Sequence, residues 1–464
     1  MLIALVAVAG LLQRPPQIEP QAAFDARLDS IFSKSGAPGA GLRVAIKGKT
    51  VYQRAFGYAD EAKKTPMKLS DSFEIGSLSK QFTAVCALML VKDGKLDLSE
   101  KLGDIIPKVP PAWKSATIDQ ILHHMSGIPD YEEIATYDFY NKKASNQDVI
   151  DQARKKEPAF KPGERFEYSN TGYYLVGMVV EKRSGIPMSQ FLRKRVFDKV
   201  GMKSTYAEPS TSKPATGYHS RTGSRVAQPP IEWSSTLGAG GIVSTLDDLV
   251  KWDNALYTEK LLPRALLDKL WKTTKFNNGT TNTYGYGWFV GNFRGVNEQE
   301  HSGQTNGFTC VYRRFPDQKC SVWAFTNTYG GDVVFGLAQP ALIRYLDAVN
   351  YAKAPFSASE NGERTARHLQ ALTQATGVGS DYSLLAPNMK SFATEAGSAP
   401  SRDAINKYLS ESKEFRFLRL IPRESPSFGK VELYVYRQLA SPADRYWSLA
   451  FANGLLISVR MEDE

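Results

Sequence analysis

Apolar and polar positions alternate along residues 41–49 and again along 51–59, with Gly48-Lys49 between the runs; the pattern predicts a β-hairpin. Ahead of it, Phe24, Leu28, Ile31 and Phe32 fall on one side of a helix over 23–35. A continuous apolar run, Ala84 to Leu90, follows the polar stretch Glu74–Thr83 and stops near Gly94, as a buried helix does. Residues 117–125 read as a helix ended by Ser126-Gly127-Ile128-Pro129. A Pro162-Gly163 turn and a short polar loop lead into a strongly apolar helix, 175–181. Residues 206–233 are rich in Pro, Gly, Ser and Thr and read as one long loop, a flap facing substrate. Ser244 to Leu249 has the acids and caps of a helix start. Three runs, 285–290, 309–314 and 321–326, predict an antiparallel meander, with a helix over 333–350 packed on it.

The pattern changes near residue 351. Residues 351–363 have linker composition. Helices are expected over 363–376 and 402–412, then strands at 415–421, 430–439, 445–451 and 455–461, the last two joined by Asn453-Gly454. The domain plan is therefore a leader at 1–22, a main domain at 23–350, a linker, and a small α+β domain at 364–464 whose outline resembles cone-shaped NTF2-like domains.

Length supports two or three domains: the chain has 464 residues. Lys and Arg exceed Asp and Glu by 58 to 48, a net charge of +10, but the basic residues are scattered and form no nucleic-acid arm. Residues 1–12 are apolar, too short to span a membrane, and resemble the core of a secretory signal with Ala7-Val8-Ala9 as a cleavage pattern. No Lys or Arg precedes the run, a departure that leaves room for a start further upstream. Export to a secreted or periplasmic location is expected, with no later membrane span. Of three cysteines, Cys86 falls in the apolar helix, and Cys310 and Cys320 lie several rungs apart on a hairpin turning at 316–318. Three free thiols are expected. His123-His124 would point apart on a helix, and H-E-x-x-H is absent, so no metal and no cofactor are expected.

The candidate chemistry begins at Ser77 and Lys80, which share a helix face at the mouth of the apolar run. Ser-x-x-Lys alone is weak, since it recurs at Ser210, Ser410 and Ser427. Two further features single out Ser77: Tyr168-Ser169-Asn170 on the exposed loop, and His301-Ser302-Gly303 entering a strand. With Ile75-Gly76-Ser77-Leu78-Ser79-Lys80, Ile118 to Pro129 and Pro162-Gly163 around them, the chain resembles the serine β-lactamase-like superfamily. The branch is that of class C β-lactamases, D-Ala-D-Ala carboxypeptidases and related esterases (the S12 peptidases). The resemblance covers roughly residues 24–348.

The resemblance implies an α+β sandwich, an antiparallel sheet flanked by helices, with an all-helical lobe beside it. It implies Ser77 as nucleophile, Lys80 as base and Tyr168 as proton shuttle. Asn170 would orient Lys80 or the substrate amide; His301 and Gly303 would line the substrate. The backbone N–H groups of Ser77 and Gln304 would form the oxyanion hole. Where class C enzymes have Lys-Thr-Gly this chain has His301-Ser302-Gly303, which weakens the grip on a substrate carboxylate. Arg225 and Arg294 are the candidates to bind such a carboxylate instead. The expectation is a secreted, monomeric serine hydrolase forming a Ser77 acyl-enzyme on D-amino-acid peptides, including cell-wall peptide, or small esters and amides. The alternatives are a class C-like β-lactamase and a non-catalytic penicillin-recognising or scaffolding protein.

Overall fold

The structure is a computed structural model. It describes residues 19–208, 214–221, 224–350, 357, 361–377, 379–411, 414–425, 428–439 and 445–462. Nearly all of the predicted leader and most of the predicted linker lie outside these residues. The chain divides into two compact units: Asp29–Val349, and Asn350–Glu464 together with the segment ending at Leu28.

The strands, in chain order, are β1 (Gly39–Ile46), β2 (Lys49–Asp60), β3 (Thr65–Pro66), β4 (Phe73–Glu74), β5 (Gly217–Arg221), β6 (Ser224–Gln228), β7 (Val243–Ser244), β8 (Thr274–Lys275), β9 (Thr281–Asn282), β10 (Phe289–Phe293), β11 (Val296–Gln304), β12 (Thr309–Phe315), β13 (Cys320–Thr326), β14 (Phe415–Ser425), β15 (Gly429–Gln438), β16 (Arg445–Ala452) and β17 (Leu455–Glu462). In the larger unit seven of them form one sheet of order β10-β11-β12-β13-β1-β2-β3, beside the two-stranded pairs β4-β7, β5-β6 and β8-β9. The expected hairpin is β1–β2, and Lys47 and Gly48 both take positive φ, which a two-residue hairpin of matching twist requires. β1 pairs with β13 as well as β2, so chain ends far apart in sequence build one sheet. Strands β12 and β13 are buried along their whole length.

The meander has four strands, one more than expected, and its first lies at Phe289–Phe293 rather than 285–290. The missed strand is β11, which carries Glu298, Glu300 and His301. Its apolar alternation is hidden because Glu298 faces the sheet as the partner of Arg313, at 2.6 Å and buried on both sides. The helix after β13 covers Val333–Tyr345 and packs against β13 and β1. Cys310 pairs across the ladder with Phe325 and Cys320 with Phe315, so the two cysteines are rungs apart; these and Cys86 are buried free thiols.

In sequence, the helical part lies between the strands β1–β3 and β10–β13 that build the sheet. The helix Ser79–Lys92 is buried from Ser79 through Leu90, which is why its sequence is apolar on every side. It packs on the helix Asn170–Ser184. Short strand β4 pairs with β7, tying the residues just before Ser77 to those just after Gly238-Ala239-Gly240-Gly241. The expected flap is more ordered than a loop: it contains the β5–β6 hairpin and a helical turn at Trp233–Thr236, with 209–213 and 222–223 outside the described residues.

In the smaller unit the helices Gly362–Ala375, Pro387–Thr394 and Ala399–Glu411 precede the meander β14-β15-β16-β17. Asn453 and Gly454 again both take positive φ at the last hairpin. Ala371, Leu372 and Met389 from the helices pack with Phe417, Tyr436, Trp447 and Phe451 from the sheet. The short middle helix escaped the sequence reading because its eight residues carry no sustained apolar stripe. His368 is a core residue, bonded to the Tyr436 hydroxyl at 2.7 Å and stacked on Phe451.

Candidate active site

Ser77 sits in a single tight turn, Gly76–Leu78, which opens the helix Ser79–Lys92. Gly76 makes that turn with φ of +50°, and a Cβ there would lie 2.6 Å from the Gln304 amide nitrogen. The Ser77 turn thus backs directly onto the end of β11. Gly303 repeats the constraint from the other side: its Cβ would lie 2.1 Å from the Ile75 carbonyl oxygen. Both glycines are required for the backbones of residues 75–77 and 303–304 to meet.

Lys80, fully buried, places Nζ 2.9 Å from Ser77 Oγ, 2.6 Å from Asn170 Oδ1 and 2.8 Å from the Ala239 carbonyl oxygen. The Ala239 carbonyl is held in place because Thr83 Oγ1 donates to the Gly238 carbonyl and the Ile242 amide donates to Ser79 Oγ. Burial pulls the Lys80 amine down to about 8, against the opposing pull of Glu132 and Asp130. Its Nζ also lies 4.8 Å from the centre of the Tyr168 ring. The Tyr168 hydroxyl is buried without a hydrogen-bond partner among the described residues. Burial raises it well above the phenol range, and neighbouring Ser77 is what draws it down.

Asn170 is the first residue of its helix, but Ser169 is the cap: its Oγ accepts from the Gly172 amide at 3.1 Å. Asn170 is therefore free to face Lys80. Its amide nitrogen donates to Asp130 Oδ2 at 2.9 Å.

His124 lies behind Tyr168, 4.2 Å between ring centres, at a positive φ of 56°. Its Nδ1 accepts from the Ser169 amide at 3.0 Å, and burial together with the Lys80 charge holds its pKa well below the usual range. His123 turns away and bonds the Tyr284 carbonyl at 2.7 Å. Each histidine therefore holds a loop, and among the described residues no group has the composition of a metal site.

His301 is buried on β11. Its Nδ1 meets the Ser302 carbonyl, which only accepts, so the proton is on Nδ1. Its Nε2 lies 3.0 Å from the Tyr284 hydroxyl, which then donates. Burial, first, and Lys80, second, push the ring down to about 3, so it stays neutral. The sequence placed His301 against the substrate with a weakened grip on a carboxylate; in the structure its single N–H is already engaged. The two arginines considered as substitutes are elsewhere. Arg225 pairs with Glu61 at 2.5 Å, and buried Arg294 donates to the Val349 carbonyl at 2.8 Å.

These groups open on a cleft of about 520 Å³. Ser77, Tyr168, Asn170 and the strand end His301–Asn306 form its floor; Phe289, Tyr140, Tyr329 and Ile231 give apolar walls, and Glu132 adds a carboxylate. The residues the sequence expected at the site, Ser77, Lys80, Tyr168, Asn170, His301, Gly303 and Gln304, all come together here. Sequence reasoning missed Asp130, Tyr284 and the Ala239 carbonyl. For Asp130 a signal existed, since it directly follows the quoted Ile128-Pro129; Tyr284 and Ala239 had none.

Residues 21–344 match the family model described as Beta-lactamase, and the chain belongs to that family. It is 31% identical over 300 residues to a penicillin-binding protein of Bacillus subtilis (strain 168), covering 60% of this chain and 66% of the relative. It is 28% identical over 317 residues to a D-aminopeptidase of Brucella anthropi, covering 66% and 59%. The chain thus spans less than two thirds of the length of these two relatives. Among solved structures, D-amino acid amidase from Ochrobactrum anthropi SV3, complexed with D-phenylalanine, aligns with a TM-score of 0.61 at 28% identity, over 70% of this chain and 98% of that one.

Proposed function

We propose that the protein is a serine hydrolase that forms an acyl-enzyme on Ser77 and acts on amides or esters lacking a carboxylate beside the reacting carbonyl. Substrates of D-amino-acid amide or N-terminal D-residue type fit best, and the apolar residues 2–12 favour action outside the cytoplasm. In this reading Ser77 Oγ attacks the carbonyl carbon and its proton passes to Lys80 Nζ. The tetrahedral oxygen is held by the Ser77 and Gln304 amides, which the two glycines bring together. As the carbon–nitrogen bond breaks, Tyr168 protonates the leaving amine and is reprotonated from Lys80. Water then attacks the ester, gives its proton back through the same pair, and Ser77 leaves with its hydroxyl restored.

The observation that carries the substrate class is the state of His301. The ring is neutral, its N–H is held by Ser302, and its other nitrogen is covered by Tyr284. A carboxylate in the cleft would find no arginine among the described lining residues and would face Glu132, whose carboxyl burial raises to about 7. β-Lactams and peptides ending in D-Ala-D-Ala both carry such a carboxylate. The relatives named D-aminopeptidase and D-amino acid amidase support the reading. Turnover of D-phenylalanine amide and p-nitrophenyl acetate is expected to exceed that of nitrocefin and a D-Ala-D-Ala peptide by about tenfold to a hundredfold in kcat/KM, the worth of one lost hydrogen bond to a charge. Faster turnover of the carboxylate-bearing pair would contradict it.

Lys80 also sets a pH dependence. The base is competent only when neutral, and its pKa is about 8. kcat/KM is expected to rise with pH through that value and level off above it. His301, neutral down to about 3, adds no second limb in this range. A profile already flat from about pH 6 upward would show that Lys80 is not the base.

A further inference from the structure

Two of the three groups around Lys80 Nζ are acceptors only. The Ala239 carbonyl is one. Asn170 Oδ1 is the other, and it is the oxygen that faces Lys80 because the amide nitrogen is bound to a carboxylate, which takes N–H and offers none. A neutral amine has two N–H bonds and one lone pair. With both N–H bonds directed to Asn170 and Ala239, the lone pair is left for the third neighbour, the Ser77 hydroxyl at 2.9 Å.

We propose that Asp130 is a positioning residue that fixes the amide of Asn170 and thereby directs the lone pair of Lys80 at Ser77. Asp130 is well built for this. Its Oδ2 accepts from both the backbone and side-chain nitrogens of Asn170, at 3.2 and 2.9 Å, and its Oδ1 accepts from the Glu132 amide at 3.1 Å. The Thr171 hydroxyl, one residue past Asn170, accepts from the Tyr131 amide at 2.9 Å, so the two segments are pinned side by side. If the amide of Asn170 turned over, its NH2 would point at Lys80 and occupy the lone pair that must take the serine proton. Asp130 touches neither Ser77 nor Lys80 in the hydrogen-bond network; it acts through Asn170. Among the described residues, the charged and titratable groups facing Lys80 are Asp130 and Glu132, Tyr168 and Tyr173, and the neutral His124 and His301.

The inference rests on the acyl-enzyme reading, and the test separates the two. Asp130→Asn is made in the full chain, alone and together with Asn170→Ala. Alone, it is expected to lower kcat/KM roughly tenfold or more, through kcat with KM little changed, and to add less than about twofold on the Asn170→Ala background. The acid limb of the profile moves to lower pH, because a carboxylate that raises Lys80 is gone. Equal losses on both backgrounds, or an unmoved limb, would overturn the proposal. Absence of Ser77-dependent turnover in the wild type would instead sink the acyl-enzyme reading. The positioning claim then stands on the side-chain NH2 resonances of Asn170, assigned by their loss in Asn170→Ala: they shift in Asp130→Asn, and unchanged resonances would refute it. Should Asp130→Asn not fold, Asp130→Ser, smaller and still polar, carries the same comparisons.

Discussion

Ser77→Ala is expected to reduce turnover by about a millionfold, because the nucleophile and the base act as one unit, leaving only the small residual rate that binding and the oxyanion amides supply. The fold should survive. Ser77 Oγ is bonded to Lys80 and neighbours the Tyr168 hydroxyl, and Lys80 keeps Asn170 and Ala239 as partners. The stability change is about 1 kcal/mol or less, the net worth of one such bond. Melting temperature and turnover measured on the same preparation separate the two effects. A variant that melts like the wild type and retains more than a trace of activity would show that the reacting hydroxyl is elsewhere.

Gly303→Ala should be the most damaging change that adds no chemistry. The new methyl would sit 2.1 Å from the Ile75 carbonyl oxygen and 2.9 Å from Cys310 Sγ. Neither the strand end nor the Ser77 turn can give way alone, because Ile75 is also bonded through its amide to Ile242. The expected cost is about 1–3 kcal/mol of stability, the range for overfilling a packed site. Forcing β11 away from the turn also parts the amides of Ser77 and Gln304. An acyl-transfer rate lower by about a hundredfold to a thousandfold follows, comparable with removal of an oxyanion donor. Thermal denaturation and kcat together test this; wild-type kcat in a folded variant would show that the two amides do not act as a pair.

The local signals were readable from the sequence wherever backbone periodicity and side-chain chemistry agreed. The β1–β2 hairpin, the apolar helix after Ser77 and the hairpin at Asn453-Gly454 needed no tertiary information. β11 was invisible because its inward position is filled by Glu298, which is apolar in effect only once Arg313 lies beside it. The helix Asn170–Ser184 was placed late because its first turn, Asn170 to Tyr174, is polar or aromatic yet buried. In the site, residue types identified the groups that the fold brings together. They did not identify what those groups hold. That neither ring nitrogen of His301 is free follows from the Ser302 carbonyl, which takes its N–H, and from Tyr284, a partner 17 residues away that donates to the other. The orientation of Asn170 follows from Asp130, 40 residues away. Both are products of the fold, and under the proposed function one would set which substrates the cleft accepts and the other which way the base points.

The central claim is covalent: a single acyl group, carried on Ser77. It is tested most directly by reacting the protein with a fluorophosphonate and with an activated ester, digesting it, and locating the adduct by mass spectrometry. The account predicts one adduct per chain on the peptide containing Ser77, absent from Ser77→Ala. An adduct on any other residue, or none from either reagent on the folded protein, would contradict it.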